Sequence, residues 1–168
     1  MKKLSFLLSV CLLFSLSMFH PSADAACGGV TVIDNDSLTD SNGYSGSWVY
    51  QSGQGSSFNS DHRYLASPPA SGFVYYGWYT TPCENKARIG VYIWNANFTN
   101  TSADYRGFNR DSSGSLYRSF SGVLNQRYAA GGWNYIGEST KGISQLELLV
   151  FKEHKGGTGA DAIKFTYQ

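Results

Sequence analysis

The chain has 168 residues, enough to bury one real core, and its 13 basic and 12 acidic side chains almost cancel, to a formal charge of +1. So even a balance provides no basic field to gather nucleic acid or an anionic membrane, and those two partner classes are set aside. Aromatic residues make up 15% of the chain alongside 19 glycines, a composition of short strands and tight turns rather than of long helices.

The first residues read as an address. Lys2 and Lys3 form a positive start, residues 4–19 an apolar run, and Ala23-Asp24-Ala25 a small-x-small cleavage site, so residues 1–25 are expected to be a secretory signal peptide cut before Ala26. The run is too short and too Ser-interrupted for a membrane anchor. Asp24 stands where a lipoprotein signal needs a Leu-like residue three before Cys27, so lipidation is not expected. Without residues 1–25 the chain loses two lysines and one aspartate and becomes formally neutral. Cys27 and Cys83 then remain as a pair in an oxidising destination, and a disulfide is expected between them. It would close a loop of roughly 57 residues, worth on the order of 4 kcal/mol. In a reducing compartment both would instead be small buried residues.

In chain order, residues 29–33 read as a first strand, followed by the polar turn Asp34-Asn35-Asp36. Residues 45–51 read as a second, with Trp48 and Tyr50 on one face and Val49 on the other. Residues 52–59 are a Gly/Ser/Gln loop, too polar to bury and expected to be mobile. Residues 73–80 are an aromatic strand ended by Pro82-Cys83. Residues 88–94 alternate cleanly, Ile89, Val91 and Ile93 against Arg88, Gly90, Tyr92 and Trp94, as a sheet between core and solvent requires. Residues 95–104 form a long loop with formal N-glycosylation sequons at Asn97 and Asn100. The turn Asp111-Ser112-Ser113-Gly114 predicts a hairpin of residues 105–109 and 115–123.

Residues 124–137 are the most informative stretch. Gly131 and Gly132 permit a turn open to few other residues, and Trp133 then starts a strand with Tyr135 on its face. Further on, residues 145–152 read as an apolar strand buried on both faces, 154–159 as a loop, and 162–167 as a closing strand with Ile163 and Phe165 inward. Eight to ten short strands without a fixed repeat predict an all-β fold, a single β-sandwich of jelly-roll type in the galactose-binding-like arrangement.

Val32-Ile33-Asp34-Asn35, Gly46-Ser47-Trp48, Trp78 with Pro82, Val91-Tyr92-Ile93-Trp94, Asn125-Gln126, Gly131-Gly132-Trp133-Asn134 with Ile136-Gly137, and Gly159-Ala160-Asp161-Ala162-Ile163 together resemble the golvesin C-terminal-like domain. This domain is also described as a xanthan-lyase carbohydrate-binding-like domain. The resemblance spans residues 26–168 and leaves no room there for a separate catalytic domain. Such domains are usually appended to secreted enzymes, polysaccharide lyases and peptidases among them, and are presumed to bind carbohydrate. The resemblance therefore implies a secreted module whose partner is a polysaccharide or other glycan.

Sugar recognition needs flat apolar faces for the C–H side and planar amides or guanidinium groups for vicinal hydroxyls. The candidates are Trp94 with Asn95, Tyr105 with Arg106, Gln126 with Arg127 and Tyr128, and Trp133 with Asn134. A sandwich this aromatic must spend most of its rings on the core; Trp48 and Trp78 are assigned there. Tyr105 and Tyr128, flanked by polar residues, are expected to be exposed. The recurring Gln, Gly-Gly and Trp-Asn pattern favours Trp133 as a plug, with Gln126 and Asn134 holding the turn and Arg127 and Tyr128 free to touch a ligand.

Asp34, Asp36 and Asp161 are a second constellation. If the first and last strands pair, these carboxylates come together and suit a structural Ca²⁺; otherwise they cap a turn and accept backbone donors. No nucleophile elbow, metal-spaced histidine pair or spare cysteine is present, so no enzyme is expected. His62 beside Asp61 reads as a solvated loop histidine. A protein-interaction module and a weak glycan-active enzyme remain as alternatives.

Overall fold

The computed structural model describes residues 28–36 and 42–168. The expected signal peptide and Cys27 lie outside them, and with Cys27 the expected disulfide; Cys83 itself is buried. Among the described residues the regular secondary structure is all strand apart from one 3-10 turn, Phe58–Ser60.

Three antiparallel sheets form. The first carries β1 (Val30–Ile33), β12 (Ile163–Tyr167), β6 (Ala87–Ile93) and β9 (Gly132–Glu138) in the spatial order β1-β12-β6-β9. The second orders β2 (Asn42–Tyr44), β5 (Phe73–Tyr79), β10 (Gln145–Phe151), β7 (Ala103–Arg110) and β8 (Leu116–Leu124) as β2-β5-β10-β7-β8. The third is a small flap, β11 (Thr158–Ala160), β4 (Asp61–Leu65) and β3 (Val49–Ser52). The first and last strands do pair, Val32 opposite Lys164 and Ile33 opposite Ile163.

The core lies between the two larger sheets because each strand turns alternate residues inward. Ile89, Val91 and Ile93 of β6 with Ile163 and Phe165 of β12 meet Leu146, Leu148 and Val150 of β10 and Tyr76 and Trp78 of β5. Burial of side chains of this size contributes roughly 1.5–3 kcal/mol each. Trp78 is 1% exposed, and its indole N–H donates to the Asp161 carbonyl at 3.1 Å, so its polar edge is satisfied inside the core. Trp48 is buried as expected, its indole N–H shared between the carbonyls of Ser45 and Tyr75.

The expected hairpin forms as β7 and β8, with the Asp111 carboxylate accepting from the backbone N–H groups of Ser113 and Ser115 at 2.9 Å each. Other expectations are corrected. The stretch 45–51 is not one strand: the chain breaks at Gly46 (φ +93), leaving Trp48 buried while Val49 and Tyr50 of β3 lie exposed. Strand β10 is not apolar on both faces, since Gln145 and Glu147 are only half-buried on its outer side. Thr158 and Gly159, expected in the loop 154–159, belong instead to a wholly buried strand, β11.

The loop 52–59 is pinned rather than loose, with Gln54 N–H bonded to the Ser60 carbonyl and Ser57 buried. His62 is not solvated. It sits on β4 with no exposed surface, Nδ1 at 2.7 Å from Ser57 Oγ and Nε2 at 2.9 Å from Gln51 Oε1, and burial pushes its pKa down to about 4. The neutral ring that results belongs to the packing.

Candidate functional site: an aromatic cleft at the end of the first sheet

Strand β6 ends at Ile93, so the next residue, Trp94, leaves the sheet and stands 53% exposed. Its ring is held flat against the turn that leads into β9. A Cβ on Gly131 would lie 2.9 Å from Trp94 Cδ2 and 3.1 Å from Cε2 and Cε3, a contact that only a glycine leaves open. The following residue, Gly132, has φ +96, which reverses the chain into the strand. Asn134 staples this turn, its Nδ2 donating to the carbonyls of Ala130 at 2.7 Å and Gly132 at 3.0 Å.

Beside the exposed indole is a cleft of about 230 Å³ whose lining includes Trp94, Asn95, Gln126 and Arg127. Asn95 is oriented by a local turn, its Oδ1 accepting from Asn97 N–H at 2.8 Å. Arg127 is exposed and its guanidinium stands 5.4 Å from the centre of the Tyr128 ring, itself 75% exposed. One aromatic face, one amide and one guanidinium therefore converge at the rim of a polar-edged hollow, the set of groups a sugar ring needs.

Four sequence candidates thus meet in this cleft, with Tyr128 at its edge. Tyr105 and Gln126 differ from expectation. Tyr105 is 1% exposed on the inner face of β7 and its hydroxyl accepts from Gln126 Nε2 at 3.0 Å; Gln126 is 3% exposed, so it offers the cleft a floor rather than a hand. The polar neighbours of Tyr105 lie on the opposite face of its own strand, which the local sequence around it did not reveal. Arg106 is one of them: it pairs with Asp104 at 2.8 Å and lies over Phe151 on the outer face of the second sheet.

Trp133 is half-buried, but on the outside of the first sheet, where it stands opposite Tyr92 across the ladder and meets the edges of Tyr92 and Phe58 at ring distances of 5.3 and 5.6 Å. Trp133 therefore packs against the outer face of the first sheet and does not plug the core. Next to it lies a second cleft of about 250 Å³, with Tyr135, Arg88 and Lys164 in its lining. Lys164 Nζ is 4.5 Å from the Trp133 ring centre and the Arg88 guanidinium 4.5 Å from that of Tyr135. Arg88 and Lys164 were not singled out in the sequence, though the alternation of Trp133 and Tyr135 along β9 was.

The carboxylates gather at the far end of β1. Asp34 and Asp36 are joined there by Asp61 of β4, not by Asp161 as their third member, with ligand atoms of the three within 4.8 Å of one another. Asp161 lies close by: burial, then the charges of Asp34 and Asp61, push its pKa up to about 8 against the opposing hydrogen bond from Phe58 N–H.

No family model and no curated protein matches this chain. Among solved structures it is similar to a Paenibacillus xanthan lyase, with 17% identity and a TM-score of 0.60 over 83% of this chain and 13% of the lyase. It is also similar to the catalytic-domain structure of a GH87 α-1,3-glucanase, with 11% identity and a TM-score of 0.48 over 84% of this chain and 28% of the other. The chain thus spans a small part of each. The first likeness establishes a β-sandwich fold of a kind found within a carbohydrate-active enzyme.

Proposed function

We propose that this chain is a secreted, non-catalytic carbohydrate-binding module of the golvesin C-terminal-like kind, recognising extracellular or cell-wall polysaccharide through the Trp94 cleft. The observation that supports it most is the 53% exposure of Trp94, a large apolar ring packed with one face over Gly131 rather than folded away. A ring fixed in advance loses little entropy on binding, which favours its use as a stacking platform. Asn95 and Arg127 sit where they would accept and donate hydrogen bonds to hydroxyls at the sugar's edge. The described residues of that lining hold amide, guanidinium and aromatic groups, which suits glycan binding.

Retention on insoluble wall and exopolysaccharides tests the reading. Wild-type protein should be retained, and Trp94→Ala should bind at least ~10-fold more weakly, equivalent to ~1.4 kcal/mol, with an unchanged Tm. Absence of retention on every polysaccharide, or equal retention of Trp94→Ala, would sink it. Co-purification with one defined protein, indifferent to added sugars, would point instead to a protein-interaction module. Intact mass of the exported protein checks the secreted half, which requires a chain starting at Ala26 with Cys27 joined to Cys83.

A further inference from the structure

Asp34 follows β1 of the first sheet, while Asp61 opens β4 of the flap. Asp161 lies in the link between β11 of the flap and β12 of the first sheet. Three segments distant in sequence therefore bring carboxylates to one corner. Such a gathering is costly unless something neutralises it, and by itself it would show nothing more.

Two further observations point to a ligand. Asp61 is 6% exposed and Asp161 is 2% exposed, and each keeps a buried carboxylate oxygen, Oδ1, without a hydrogen-bond partner. Asn35, between Asp34 and Asp36 and 1% exposed, has both side-chain amide atoms, Oδ1 and Nδ2, buried and unpartnered. A buried oxygen left unsatisfied is costly, the more so when charged, so the Oδ1 atoms of Asp61 and Asp161 are expected to face a donor or a cation. The neighbouring cation, Arg63, has its guanidinium 4.7 Å from the Tyr50 ring centre.

The donor set selects the kind of cation. All three triad ligands are carboxylates, hard oxygen donors, and the adjacent His62 has both ring nitrogens engaged by Ser57 and Gln51. Oxygens that share one Ca²⁺ at ~2.3–2.6 Å lie no more than about 5 Å apart, and the three aspartates meet that limit at 4.8 Å. We propose that Asp34, Asp36 and Asp61, with Asp161 beside them, form a Ca²⁺ site that clamps the flap to the first sheet. Asp36, exposed, is the entry side; Asp34 and Asp61 are the buried walls.

The test uses the purified protein freed of metal with a chelator and titrated with CaCl₂, followed by calorimetry and thermal unfolding. Expected are a Kd on the order of 10⁻⁵–10⁻³ M and, at about 100 times Kd, a Tm rise of roughly 5–10 °C. MgCl₂ at equal concentration should give the smaller rise. Asp61→Asn should abolish the response. Because that residue is buried, Asp36→Asn is the companion variant: it is exposed, should fold with the chelated wild-type Tm, and should bind Ca²⁺ at least ~10-fold more weakly. No heat and no Tm change up to about 100 mM Ca²⁺, an unaltered response in Asp36→Asn, or an equal response to Mg²⁺ would overturn the assignment. The readout involves no glycan, so its failure is separate from failure of the carbohydrate reading.

Discussion

Gln126 and Gly159 exchange two hydrogen bonds, Gln126 Nε2 donating to the Gly159 carbonyl at 2.8 Å and Gly159 N–H donating to Gln126 Oε1 at 3.0 Å. The side-chain amide thereby serves β11 as a neighbouring strand would, and its second N–H reaches the Tyr105 hydroxyl. The segment that ends in the Arg127 cleft is tied by this one residue to the flap strand. Truncation as Gln126→Ala would strand both backbone groups of Gly159. It should cost roughly 2–4 kcal/mol and lower Tm by about 6–15 °C in thermal unfolding. A loss under 1 °C would show that water replaces the amide.

Gly131 separates cleft shape from fold stability. Gly131→Ala would place a methyl 2.9 Å from Trp94 Cδ2 and push the half-exposed indole off the turn without disturbing the core. Stability should change by less than about 1 kcal/mol, while polysaccharide retention drops roughly tenfold because the ring is no longer held flat. Binding equal to wild type, with Tm also equal, would mean that the orientation of Trp94 is irrelevant to recognition.

Glu147 provides a pH test away from both sites. Burial holds its carboxyl above the usual range, against the lowering effects of the Gln145 amide at 2.6 Å and of the Arg106 charge. A folded-state value raised above the unfolded one means that the native state binds the proton more tightly. Its contribution is therefore present at low pH and lost as pH rises through the raised value. Glu147→Gln should be slightly more stable than wild type at neutral pH, by less than about 1 kcal/mol because the half-exposed group is screened. The gain should vanish near pH ~4. Urea midpoints at pH 7 and pH 4 decide it, and a variant less stable at pH 7 would refute the sign.

Much of this molecule was legible along the chain. Alternation marked β6, β9 and β12 and told which residues shared a face, because a strand's side chains alternate whatever it packs against. The Asp111 turn was readable too, since a carboxylate that accepts from the next backbone N–H groups is a local device. Within the Trp94 cleft, Trp94, Asn95 and Arg127 were found because each stands at a strand end or in a turn.

What periodicity leaves open is which face meets another sheet, and that depends on contacts between segments remote in sequence. Tyr105 and Tyr128 both stand among polar neighbours, yet one has 1% and the other 75% of its surface exposed, because only Tyr105 lies under the opposite sheet. Asp61 could not be joined to Asp34 before β4 was known to be a strand paired with β3 and β11, and His62 moved from solvent to interior for the same reason. The sequence alone therefore determined an all-β chain with its turns and its alternating faces. Only the tertiary structure decided that Trp94 stays outside while Trp78 goes in, and that carboxylates from three separate segments share one corner, since burial and proximity are set by how the sheets stack.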